Sequence, residues 1–129
     1  MNRLRTHVTA LILCHFVLTL AHGMAHHRLG IKLTAAQDLF VMVVIVVAPL
    51  ISLALFYTRL QKWGAGLLLL STLGSLLFGA VNHFVLISPD HVSHLPHGQW
   101  ALSFKITAVL LAITEALGTL LGWLGLRTE

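Results

Sequence analysis

Long apolar stretches alternate with short polar ones along the 129 residues. Residues 8–22 are nearly all apolar and follow a short basic start with Arg3 and Arg5. Polar positions return at Arg28, Lys32, Thr34 and Gln37, then at Arg59, Gln61 and Lys62, and again between Ser88 and Gly98. Each apolar stretch has about 20 residues or a little more, enough for a helix to cross ~30 Å of hydrocarbon. The pattern predicts four transmembrane helices over about 7–27, 35–58, 63–87 and 100–124. The run from Val41 to Val47 is rich in β-branched residues and would favour a strand in water. In lipid a lone strand leaves its backbone unsatisfied, so helix is expected. Pro49 predicts a kink in the second span. Thr34 with Gln37 three residues on is a capping box that opens this span, and Asp38 sits in the first turn, where the helix dipole favours a carboxylate. A cleavable leader is the alternative for the first span, since Ala21 and Gly23 make a passable cleavage pattern. His15 is unusual in such a segment, so a retained helix is expected.

Short connections make consecutive helices antiparallel neighbours, which predicts an all-α, integral membrane up-down four-helix bundle forming a single domain over 1–129. Composition agrees: 57% of residues are hydrophobic and 9% charged, and the mean hydropathy is +0.91. The formal charge is +4, but the basic groups are too few and scattered for a nucleic-acid face. Arg3, Arg5, Arg59, Lys62 and Arg127 fall on one side of the expected bundle, and Arg28, Lys32 and Lys105 on the other. The positive-inside rule then puts both termini in the cytoplasm and the His-rich loops outside, with a bacterial inner membrane the expected location. Besides the lipid bilayer, the glycine-rich faces of the third and fourth spans suit close packing between helices, with other membrane subunits, or in a homo-oligomer. Cys14 is the single cysteine, so neither an internal disulfide nor a cysteine metal framework is available.

The histidines carry the chemistry. Of nine, four (His83, His91, His94 and His97) lie within residues 82–97, and His22, His26 and His27 end the first span. On a helix, His15, His22 and His26 share a stripe about 40° wide. His22 and His83 are expected at matching depth and facing each other, with Gly79 one turn below leaving room for a flat group. Imidazole suits zinc, copper(II) or haem iron. His22 and His26 have the i, i+4 spacing that lets two rings share one ion, without the glutamate of the metalloprotease version: Gly23, Met24 and Ala25 lie between them. The expected metal or haem ligands are therefore His22, His26, His83, His91, His94 and His97, with His27, Asp38 and Asp90 secondary. The alternative is that the intramembrane histidines bond neighbouring helices and the loop histidines are solvated. Glu115 is a carboxyl in mid-span, which is expensive and a functional candidate by default. Paired with His15 and extended by Asn82, it would form a proton relay; otherwise it is neutral and bonded to threonine or backbone.

The four-span plan resembles small four-helix membrane cytochromes of the b type, in which histidines on the helices hold haem and exchange electrons with quinone. The resemblance covers the spans and no motif. It implies haem b, and at most one, held by His22 or His26 with His83, because the second and fourth spans carry no histidine. Three functions follow as expectations: a metal or haem site on the non-cytoplasmic face in redox or metal handling, a small proton-coupled transporter using Glu115 and His15, or an accessory subunit of a membrane complex. No nucleophile–base set, phosphate loop or nucleotide fingerprint is present, so soluble-enzyme chemistry is poorly supported.

Overall fold

A computed structural model describes residues 2–127, and every regular element in it is helical. Helix α1 spans Asn2–Leu29, α2 spans Ala35–Phe56, α3 spans Gln61–Val85 and α4 spans Gln99–Arg127. All four are long and apolar enough to cross a membrane. Helices α1 and α4 run a turn or so past the lengths expected from the apolar runs, and the added turns carry the charged Arg3, Arg5, Arg28 and Arg127. Helix α2 opens on the expected capping box: Gln37 N donates to Thr34 Oγ1 at 3.3 Å, and Thr34 N donates to Gln37 Oε1 at 2.9 Å. Helix α1 stops at Gly30, whose φ of +67° favours glycine.

The β-branched run is helical, but Val41–Val47 forms a seven-residue π turn. Pro49, just past its end, explains the widening. Proline has no N–H for the Ile45 carbonyl four residues back, and its ring crowds that carbonyl. The freed carbonyl finds a donor on another helix: His15 Nε2 lies 3.2 Å from Ile45 O. His15 thus ties α1 to α2. Replacing His15 by leucine should cost about 1–3 kcal/mol, the usual penalty for a buried acceptor left unmade. The same replacement in a Pro49→Ala background should cost clearly less, because alanine at this position restores a backbone donor. Equal costs in a detergent unfolding series on both backgrounds would break the link between the proline and the histidine.

Helix α4 packs on α1 and α3, α3 also on α2, and α2 on α1. The buried stripe of α4 runs through Phe104, Ala108, Leu111, Glu115, Gly118, Gly122 and Gly125, alternating steps of three and four. Its glycines let α3 approach closely. A Cβ at Gly118 would stand 2.7 Å from Thr72 Cγ2, and one at Gly122 would stand 2.6 Å from Leu69 N. Val8, Ile12, Phe56, Ala65 and Leu68 form one apolar cluster, at the end where the chain begins. Ala25, Phe104 and Ala108 form a second at the histidine end, covered by Val92, Leu95 and Trp100. Polar side chains share the interior with these clusters. Ser52, Ser71, Thr72, Ser75 and Thr114 are buried, and each hydroxyl donates to a backbone carbonyl at 2.7–3.2 Å. Large apolar side chains such as Val17, Leu20, Leu39, Leu70, Leu77 and Ile113 instead point outward and are exposed. That distribution suits a lipid surround, which asks only the interior to satisfy polar groups.

The loop over residues 86–98 folds back on the helix ends. Val92 N donates to His83 O at 3.0 Å, closing over the last turn of α3, and His91 N donates to Ser88 O at 3.0 Å. Ser88 Oγ accepts from Asp90 N at 3.2 Å. These bonds turn the Asp90 side chain inward, and it is 7% exposed.

Candidate metal centre

His22 and His26 stand one turn apart on the inward face of α1. His83 reaches the same place by a local irregularity. The last turn of α3, Val81–Val85, is a π turn, in which Leu86 N donates to Val81 O at 2.8 Å. The extra residue in the turn re-aims the side chains, and π turns recur where a helix must present a particular group. His83 is buried while Val81, Phe84 and Val85 around it are exposed. Phe104 of α4 forms the floor. Its ring centroid lies 4.5 Å from that of His22, 4.9 Å from His26 and 5.1 Å from His83.

The hydrogen bonds around the rings assign their tautomers. His22 Nδ1 lies 2.8 Å from Thr107 Oγ1. The Thr107 hydroxyl hydrogen goes to Ser103 O at 2.8 Å, so toward His22 this oxygen accepts and Nδ1 carries the proton. His83 Nδ1 faces two acceptors, the Asp90 carbonyl oxygen at 3.2 Å and Oδ1 at 3.4 Å, and it too carries the proton. With that tautomer in both rings, two bare Nε2 lone pairs face each other, 3.2 Å apart. Two acceptors at that distance repel unless a cation lies between them. His26 Nε2 is 3.1 Å from Asp90 Oδ1, and its Nδ1 is buried with no partner. Both carboxylate oxygens of Asp90 are buried without a well-aligned hydrogen bond, although Oδ1 lies within ion-pair reach of two rings. Buried polar groups left this way are rare.

His22, His26 and His83 form a group that can hold a metal ion: each offers one ring nitrogen, and the three nitrogens lie within 4.8 Å of one another. The His22–His83 spacing of 3.2 Å matches the edge of a tetrahedron with metal–nitrogen bonds of ~2.0 Å, which is about 3.3 Å. A haem ligated by the same pair needs its axial nitrogens about 4 Å apart with the porphyrin plane between them. The two Nε2 atoms are instead 3.2 Å apart. The backing of the rings by Thr107 and Asp90 is the arrangement that orients metal-binding imidazoles in general.

The other expected ligands lie elsewhere. The loop folds His91 onto Ser93, with Nδ1 2.7 Å from its hydroxyl, and His94 and His97 are exposed on the surface. His27 and Asp38 are exposed but border a cavity of about 540 Å³ that reaches inward past the three histidines. Asn82 ties α3 to α2: it donates to Phe78 O at 2.8 Å and accepts from Gln37 Nε2 at 3.2 Å. His15 and Glu115 are both buried, yet no hydrogen bond or ion pair joins them among the described residues; His15 serves the Ile45 carbonyl. Asp90, expected only as a secondary ligand, touches two of the three rings. Phe104 is a member of the site that the histidine pattern does not point to. Its signal is its place on the buried stripe of α4, one turn before Thr107 and Ala108. No family model, curated protein or solved structure matches this chain.

Proposed function

We propose that the protein is an integral membrane metal-binding protein that holds one divalent ion of the zinc class on His22, His26 and His83. The reading takes α1–α4 as an up-down bundle with both termini cytoplasmic and the histidine end facing the other side, in keeping with the excess of Arg and Lys on the terminal side. One observation carries it: the Nε2 atoms of His22 and His83 face each other at 3.2 Å, while the Nδ1 of each ring lies against an oxygen of Thr107 or Asp90. A shared proton would relieve that pair alone. A metal ion also engages His26, the third ring of the group. Three imidazoles leave a fourth position for another donor, as in sites where a metal stays open to an incoming molecule. The zinc-class assignment rests on the one tetrahedral edge between His22 and His83 and favours metal handling over electron transfer, because zinc has no redox chemistry.

The test is elemental analysis of protein purified in detergent after zinc loading. One zinc per chain is expected, and metal at background level would overturn the reading. Asp90→Ala should keep the site but weaken zinc binding about 10- to 100-fold, the usual cost of removing a group that orients a ligating histidine. An unchanged affinity in a chelator competition would remove Asp90 from the site.

A further inference from the structure

Glu115 belongs to none of the bonds described so far. It is 4% exposed, and among the described residues its carboxyl makes no hydrogen bond or ion pair. It borders the cavity of about 540 Å³ that the three histidines also border. Gly79 joins the two ends: a Cβ there would stand 3.8 Å from His83 Cδ2 and 4.0 Å from Glu115 Oε2. With no side chain at Gly79, the space from the rings to the carboxyl stays open. The walls between are mostly apolar, from Ile45, Phe78, Leu111 and Ala112. Past Glu115 the way is shut. The Ser71 and Thr72 hydroxyls beyond it are committed to backbone carbonyls, and Val8, Ile12, Phe56, Ala65 and Leu68 close the far end.

We infer that the cavity is a binding site for a small molecule with an apolar body and a hydroxyl group, phenol-like in character, which lies between the three-histidine site and the Glu115 carboxyl. The volume suits such a ligand, since small-molecule pockets run to ~300–1,000 Å³ and are lined by apolar groups with a few placed polar ones. A neutral hydroxyl is the fitting partner because an isolated charge is expensive at this depth. It satisfies the carboxyl by one hydrogen bond while the apolar body fills the walls. The metal reading enters at one end only: an ion with a free fourth position adds a second polar anchor.

The experiment uses 2-naphthol, a fluorescent hydroxyl-bearing probe, with the full chain in nanodiscs, and cobalt(II) as a coloured substitute for zinc. Saturable naphthol binding above that of empty nanodiscs is expected. Glu115→Leu and Ala112→Phe should each weaken it at least tenfold while cobalt binding stays unchanged, which also shows that both variants fold. Naphthol binding that is absent, or equal in the wild type and both variants, overturns the pocket. The metal reading fails separately: naphthol bound as expected with no cobalt absorption upholds the pocket and removes the ion.

Discussion

His83→Ala is expected to lower zinc affinity about 10²- to 10³-fold, with the helix content of the protein unchanged. Structural zinc sites gather ~10–16 kcal/mol in all, so one ligand of three or four is worth roughly 3–4 kcal/mol, and each 1.4 kcal/mol is tenfold. The substitution also removes the imidazole's bond to the Asp90 carbonyl, but a main-chain tie still holds the loop. Val92 N bonds the His83 main-chain carbonyl at 3.0 Å, and alanine keeps that carbonyl. His22→Ala should behave alike, since its Nε2 is the other half of the 3.2 Å pair. His97→Ala is the contrast: the residue is exposed in the loop and should bind zinc as the wild type does. A chelator competition in detergent reads all three. Wild-type affinity in His83→Ala, or an equal loss in His97→Ala, would mean that zinc is held by something other than the buried trio.

How much of this site is legible in the sequence differs from residue to residue. The facing of His22 and His83 is readable, because two parallel spans of known length fix the height of each residue at 1.5 Å per step. Height says little about rotation, however. The π turn that turns His83 inward lies in Val81–Val85, a stretch with no proline or glycine to announce it. The earlier π turn is half-announced by Pro49, but its consequence is not. His15 and Glu115 look like partners by depth, whereas the carbonyl freed at Ile45 claims His15 instead. Loop residues are the least readable. Asp90 comes inward and His91, His94 and His97 stay out because of main-chain bonds to Ser88 and His83, and nothing in the local sequence distinguishes the aspartate from the histidines around it. The buried stripe of α4, by contrast, is already present in its three-and-four spacing, and it supplies Phe104, Thr107 and Glu115 in one line.

The same stripe carries the largest expected effect on stability. Gly122→Ala should destabilise the bundle by about 3 kcal/mol, the upper part of the range for overpacking a tight contact. A Cβ there would stand 2.6 Å from Leu69 N, 2.8 Å from Leu69 Cα and 2.9 Å from Ala65 O. All three are backbone atoms of α3, so no side chain can swing aside and the helices themselves must part. Lipid offers no hydrophobic drive to press them together again, so close packing is much of what holds them. Gly66→Ala, on the same helix as Leu69, tests whether contact and not helix propensity sets the cost. The nearest atom to a Cβ at Gly66 is Leu126 Cδ2 at 3.9 Å, ordinary contact, and alanine is the better helix former by up to ~1 kcal/mol. Its variant should match or slightly exceed the wild type. Unfolding by SDS titration, followed by the fluorescence of Trp63, Trp100 and Trp123, compares the two. If Gly122→Ala unfolds at the wild-type SDS fraction, α3 and α4 do not meet along this line. The placement of Glu115 beside Gly79, which depends on that same approach of the two helices, would then fall with it.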